Sequence, residues 1–133
     1  MLPGALWPCR RLVRTSRTSA EITAYAGQCL LQLGDTGQAI TLLDEGIALF
    51  DESFPRNRQA YVTHLAGALA RPGQQRDLDN AAARGMEAID IAESLHSTYS
   101  VARLRSLYRE MKPHSKVPAV RDFVERARGL VAV

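Results

Sequence analysis

The chain has 133 residues, a length that suits one domain with one modest hydrophobic core. Apolar residues make up 46% of it, which is typical of a globular protein and excludes a disordered chain. The net charge of +3 comes from arginines within the first nineteen residues, since the remaining 13 basic residues are balanced by 14 acidic ones. A nearly neutral body argues against a nucleic-acid groove.

Residues 1–19 are predicted to form a disordered or poorly ordered basic leader. Pro3 and Pro8 interrupt any helix there. The apolar residues precede the arginines, which is the wrong order for a secretory signal. An acid-free start rich in Arg, Ser and Thr also occurs in mitochondrial transit peptides, but a linker remnant or an upstream-extended translation start is the favoured interpretation. Residues 20–133 are assigned to the folded domain.

Apolar periodicity predicts six helices joined by short turns, and no strand. The predicted ranges are 20–33, 36–51, 56–71, 75–95, 97–111 and 118–131. Short connections favour antiparallel packing of consecutive helices, so the chain is predicted to be all-α. The side chains expected to face inward from the first helix are Ile22, Ala26, Cys29, Leu30 and Leu33. Those of the last helix are Val120, Phe123, Val124, Ala127 and Leu130.

Small residues recur at fixed intervals in the first two helical pairs. The structural repeat positions are Gly27, Gly34, Ala39, Gly46, Ala66, Gly73 and Gly85. A glycine within a helix costs about 1 kcal/mol relative to alanine, so it is expected only where packing requires it. We therefore expect Gly27, Gly46, Ala66 and Gly85 to mark close crossings of the two helices of a hairpin. The two turn glycines, at 34 and 73, are expected to close the first helix of each hairpin.

The repeat resembles the tetratricopeptide repeat. Residues 20–53 supply the small residue, the Gly34–Asp35 turn, the Ala39–Ile40 pair and the second small residue of that family's pattern. Residues 59–95 match more loosely, and the pair at 98–131 is divergent. The resemblance implies a right-handed superhelical stack of about three antiparallel helical hairpins. It also implies a concave partner-binding face lined by the first helix of each pair, at Gln28, Gln32, Thr63, Arg71, Ser106 and Glu110.

Two further stretches resemble one group of repeat proteins. Residues 53–69 and 114–130, together with the repeat layout, look like the C-terminal repeat domain of actinobacterial helix-turn-helix (XRE-type) transcriptional regulators. In that group the repeats sense a peptide or another protein, or mediate dimers. Residues 1–19 are too few for a helix-turn-helix domain, so the resemblance implies a chain with the DNA-binding domain absent. An upstream or separate DNA-binding domain is left open.

No residue pattern predicts catalysis or a cofactor. His64, His96 and His114 lie on different segments, without a carboxylate or cysteine at ligand spacing. The nucleophile-elbow and phosphate-loop motifs are absent from the sequence. The Asp77–Asp79 pair is expected to begin a helix, because acidic groups there offset the helix dipole. A basic stripe is predicted on the fifth helix at Arg103, Arg105, Arg109 and Lys112.

The sequence therefore favours a binding module over an enzyme. The first hypothesis is a cytoplasmic, non-enzymatic protein- or peptide-binding repeat module that is the sensory or regulatory part of a transcriptional regulator. The alternative is a homo-oligomerisation or adaptor module without a ligand, with an apolar patch around Trp7, Leu12 and the final residues 130–133. No catalytic, metal or cofactor site is expected, and neither direct nucleic-acid binding nor a membrane span is expected.

Overall fold

The computed structural model describes residues 19–50 and 54–131. Most of these residues are helical and none forms a strand, so the predicted all-α class is confirmed. The helices are α1 (Ser19–Gln32), α2 (Thr36–Leu49), α3 (Pro55–Ala70), α4 (Leu78–Leu95), α5 (Thr98–Met111) and α6 (Pro118–Val131). Apart from Ser19, the predicted leader lies outside the described residues. No helix in the described part of the chain is long and apolar enough to cross a membrane.

The chain forms two compact units, Met1–Phe54 and Pro55–Val133. The first unit contains helices α1 and α2, which pack along each other. The second contains the other four helices: α3 pairs with α4, α5 packs on α3, and α6 packs on both α4 and α5. A short 3₁₀ turn, Lys112–His114, connects α5 to α6. The predicted folded region thus includes residues of both units.

Two glycines set the spacing of the α1–α2 hairpin. A Cβ atom added to Gly46 would lie 2.6 Å from the backbone nitrogen of Ala24, and one added to Gly27 would lie 2.9 Å from that of Leu43. Ala24 of α1 thus lies beside Gly46 of α2, and Gly27 lies beside Leu43. Because the residue numbers rise along α1 while they fall along α2, the two helices run antiparallel. The crossings predicted at Gly27 and Gly46 are therefore confirmed, because neither position has room for a side chain.

The inward face of α1 differs from the predicted one. The buried residues are Ala20, Ala24, Gly27 and Leu31. The predicted residues Ile22, Ala26, Cys29 and Leu30 are half-buried, and 72% of Leu33 is exposed. The reason is steric: helices that approach this closely must meet through small side chains, so the alanine and glycine face turns toward α2.

The turn between α1 and α2 follows the predicted chemistry. Gly34 adopts a φ of +91°, in the region that favours glycine, and it closes α1. Asp35 then caps α2, because its side chain accepts a hydrogen bond from the backbone N–H of Gln38 at 3.3 Å. Helix α2 ends at Leu49 rather than at residue 51, since Phe50 is already extended.

Helix α4 begins later than predicted. The predicted start is residue 75, whereas the helix begins at Leu78, after the turn that contains Gly73 with its φ of +138°. Asp77 is the N-cap, and its carboxylate accepts a hydrogen bond from the backbone N–H of Asn80 at 3.0 Å. The expectation that the acidic pair begins a helix is confirmed, because the cap satisfies a donor that the first turn leaves free.

The close approach at Gly85 involves a different helix from the one that the repeat predicts. A Cβ added there would lie 2.6 Å from Cε1 of Phe123, so the room is needed by a ring from α6 rather than by the hairpin partner α3. The predicted buried face of α6 is confirmed apart from Leu130, which is half-buried. Ala66 is fully buried in α3.

A candidate binding face on α3 and α5

A buried amide joins the first helices of the two pairs in the second unit. Gln59 of α3 is fully buried. Its Oε1 accepts a hydrogen bond from Nη1 of Arg103 at 3.2 Å, and its Nε2 donates one to the carbonyl of Ser100 at 3.4 Å. Both partners belong to α5, so a single side chain fixes the register of the two helices and orients the guanidinium of Arg103.

Because Gln59 is buried, losing either hydrogen bond would destabilise the folded chain. A buried amide that loses its partners costs about 1–3 kcal/mol, so Gln59 is held where both ends are satisfied. Within the described residues every buried side-chain nitrogen and oxygen has a partner. Gln59 is not among the residues that the sequence pattern predicts for the site. The available signal was a polar residue at an inward helical position, seven residues before the buried Ala66.

Two opposite charges, those of Glu110 and Arg71, lie near the C-terminal ends of α5 and α3. Oε2 of Glu110 lies 3.4 Å from where a Cβ of Gly67 would be, so the missing side chain of this glycine leaves room for the carboxylate against α3. Burial raises the pKa of Glu110, while the nearby positive charge of Arg71 acts in the opposite direction. This carboxylate therefore lies in a partly desolvated place beside a cation.

His64 lies on α3 near the Gln59 end. Burial lowers the pKa of its imidazole, and the positive charge of Arg103 lowers it further. The ring centroid of Tyr61 is 6.4 Å from that of the imidazole. The neutral form of His64 is consequently favoured, and a neutral imidazole offers one hydrogen-bond donor and one acceptor.

We define the α3–α5 face as the residues at the junction of these two helices together with the residue after α3, including the buried Gln59 and Thr63. Its members are Gln59, Thr63, His64, Gly67, Arg71, Arg103, Ser106 and Glu110. It includes four predicted partner-binding residues, of which Arg71, Ser106 and Glu110 are exposed. Thr63 is 5% exposed, and its hydroxyl donates to the carbonyl of Gln59 at 2.7 Å, so this hydroxyl hydrogen is used internally.

The other two predicted binding residues lie in the first compact unit. Gln28 is half-buried on α1, and Gln32 is exposed at the end of that helix. The amide of Gln32 is thus open to water, whereas that of Gln28 is partly covered. The α3–α5 face carries the remaining four predicted residues.

The basic stripe predicted on α5 is not one surface. Arg103 turns toward α3, whereas Nε of Arg105 donates to the carbonyl of Val131 on α6 at 3.4 Å. Arg109 is exposed, and the ammonium of Lys112 lies 5.8 Å from the ring centroid of Tyr108. The spacing of the four residues spreads them around the helix, so only Arg103 contributes to the α3–α5 face.

The other two histidines have structural surroundings. His96 follows α4 in the left-handed conformation, with a φ of 53°. Nε2 of His114 lies 3.3 Å from a guanidinium nitrogen of Arg76, whose Nε also donates to the carbonyl of Ala70. In the described ranges no three His, Cys, Asp or Glu side chains are grouped so as to hold a metal ion.

Comparison of the chain with protein-family models, with curated proteins and with solved structures finds no match.

Proposed function

We propose that the chain is a non-enzymatic helical repeat module that binds a protein or an extended peptide along the α3–α5 face. The observation that carries the proposal is the Gln59 network, because its hydrogen bonds hold the guanidinium of Arg103 in a fixed position beside α3. A face that is ordered before binding loses less conformational entropy when a partner docks. Arg103 at one end and the Arg71–Glu110 pair at the other would orient the partner.

The regulatory part of the proposal depends on resemblance. The proposal includes repeats of the tetratricopeptide type and a sensory role, in the cytoplasm, as part of a transcriptional regulator. The close glycine crossings in α1 and α2 and the Gly34–Asp35 turn support the repeat type. The bound protein or peptide would be the signal that the regulator reads.

Selection from a random peptide library tests the binding proposal. The full chain is immobilised, and each selected peptide is titrated against wild type and the charge-reversal variant Glu110→Lys. We expect at least about tenfold weaker binding by the variant, because reversing a charge at an interface converts an attractive contact into a repulsive one.

Glu125→Lys is the matched control. Glu125 is exposed on α6, outside the α3–α5 face, and the substitution changes the net charge by the same amount. Peptides bound at the proposed face should keep wild-type affinity for this control. Equal losses in both variants, or a library that yields no saturable binder, would reject the α3–α5 face as the binding site.

Self-association is a second candidate function, and the exposed leucines of the first compact unit are side chains that it would cover. The exposed fraction is 72% for Leu33 and 59% for Leu49. A contiguous apolar patch marks a site that another protein covers, whereas single exposed apolar side chains are common on protein surfaces. The predicted apolar patch lies mostly outside the described residues, and of its described members Val131 is buried. Solution mass measured at two protein concentrations distinguishes the candidates, since self-association raises the mass with concentration.

A further inference from the structure

An open cavity of about 720 Å³ lies in the second compact unit, away from the residues of the α3–α5 face. Its walls come from the end of α4, the beginning of α5 and the end of α6. The volume falls within the range of about 300–1,000 Å³ that is typical of small-molecule sites. The cavity therefore has room for a ligand of the size of an acylated amino acid.

The cavity combines a mainly apolar surface with one arginine, and His96, Ser97 and Thr98 also line it. Ala92, Val101 and Leu130 supply apolar surface from three different helices. Arg105 also lines the cavity, and it is half-buried. Its Nε donates to the carbonyl of Val131, which anchors the side chain while leaving the two terminal nitrogens for a ligand.

The arginine in the cavity lining has hydrogen-bond donors available for an anion. Among the described residues no carboxylate forms an ion pair with Arg105. The acidic group in the lining is Glu93, whose Oε1 lies 2.7 Å from a guanidinium nitrogen of Arg126. Arg126 also pairs with Asp90, so Glu93 shares this cation with a second carboxylate. Arg105 is the arginine of the lining, and its two terminal nitrogens have no ion-pair partner among the described residues.

We propose that this cavity binds a small amphipathic carboxylate, with its apolar group against Ala92, Val101 and Leu130 and its carboxylate on the guanidinium of Arg105. A planar guanidinium presents donors in a geometry that matches a carboxylate. The apolar surface alone would accept many ligands, so Arg105 supplies the selectivity for the acid. The α3–α5 face does not enter this proposal, and either can fail independently of the other.

A matched ligand pair tests the proposal on the unmodified protein. N-acetyl-leucine and its neutral analogue N-acetyl-leucinamide are titrated into the full, isotopically labelled chain while backbone amide shifts are recorded. The acid should give saturable shifts at Val101 and Arg105, and the amide should bind at least about tenfold more weakly, since a charge-assisted hydrogen bond is lost. Equal affinity for the two ligands, or no saturable shift with the acid, would overturn the assignment.

Substitutions of Arg105 identify the cation. Arg105→Gln should abolish the preference for the acid, whereas Arg105→Lys should keep part of it, because the charge remains but the fork is lost. Arg109→Gln, on an exposed part of the same helix, should bind like wild type. Thermal unfolding of each variant shows whether it folds. Unchanged acid preference in a folded Arg105→Gln protein would refute the role of Arg105.

Discussion

At the scale of single residues, the position of a glycine decides whether it is needed for helix packing. Gly37 and Gly46 both lie in α2, but their surroundings differ. Nothing lies within 4 Å of a Cβ added at Gly37, whereas one added at Gly46 would meet the backbone and side chain of Ala24 at less than 3 Å. The same substitution should therefore have opposite effects at the two positions.

Gly46→Ala should lower the free energy of unfolding by about 1–3 kcal/mol, because α1 and α2 must move apart to admit the methyl group. Gly37→Ala is the matched control, and it should raise stability by up to about 1 kcal/mol, since alanine is the better helix former. Urea unfolding of both variants measures the difference. Equal effects at the two sites would contradict the close crossing of the hairpin.

The imidazole of His64 should make stability depend on pH. Its pKa is lower in the folded chain than the ordinary 6.5, so below that ordinary value the unfolded chain binds more protons than the folded one. The stability that comes from a neutral His64 is thus present above pH 6.5 and is lost as the pH falls below it. Glu110 acts in the opposite sense, because its raised pKa reduces stability as the pH rises above 4.5.

His64→Asn separates these two effects. The variant lacks the imidazole but keeps Glu110, so its stability should fall less than that of wild type between pH 7 and pH 5. Thermal unfolding midpoints across this interval provide the measurement, and the informative quantity is the difference between the two proteins. A constant difference at all pH values would mean that His64 has the same pKa in the folded and unfolded chains.

At the scale of helices, caps determine where the elements begin. Asp77 ends the connection after α3, and its side chain accepts the backbone N–H of Asn80. The apolar pattern alone extends the predicted helix back to residue 75, because periodicity does not distinguish a helical residue from a capping one. A capping hydrogen bond is therefore a sharper boundary signal than the hydrophobic pattern.

Asp77→Ala should reduce the free energy of unfolding by about 1 kcal/mol, since the first turn of α4 loses its side-chain acceptor. Asp77→Asn keeps an acceptor oxygen and should be close to wild type. Asp79→Ala removes a first-turn charge without removing the cap, so it should cost less than Asp77→Ala. Chemical denaturation ranks the three variants. An Asp77→Asn protein as unstable as Asp77→Ala would show that charge, rather than capping, is responsible.

The faces of helices were less predictable than their ranges. Helix α1 has apolar residues on two sides, and the bulkier side was predicted to face inward. The small side faces α2 instead, because Gly46 comes too close to Ala24 for larger groups. Periodicity counts apolar residues but does not measure the separation of two helices, so it could not choose between these sides.

At the scale of the whole molecule, the second compact unit has its own core. Leu65, Ile89, Leu104 and Phe123 come from its four different helices, and each is at most 1% exposed. These side chains are packed within residues 55–133. A buried core with side chains from all four helices supports cooperative unfolding of the unit that contains it.

A fragment of residues 55–133 should therefore be helical and unfold in one cooperative transition. Phe123→Ala in this fragment should reduce its stability by about 3–5 kcal/mol, since the ring fills the space beside Gly85 and is fully buried. Circular dichroism during urea titration measures both effects. A fragment that is unfolded in buffer, or that melts without a sigmoidal transition, would show that the core needs the rest of the chain.

The sequence by itself determined the all-α class, the approximate helix ranges, the turn at Gly34 and the tight crossing at Gly27 and Gly46. These features depend on local propensity and on spacing along one chain segment, which a single sequence contains. The predicted binding role stays a prediction for Gln28, Gln32, Thr63, Arg71, Ser106 and Glu110.

Only the tertiary structure decided which residues from distant segments meet. The Gln59–Arg103 bond joins positions 44 residues apart, Gly85 faces Phe123, and the cavity beside Arg105 has walls from three helices. Each of these contacts depends on the relative position of packed helices. Side-chain spacing along the sequence restricts which face a residue occupies, but the helix against which that face packs is selected by the fit of the whole core.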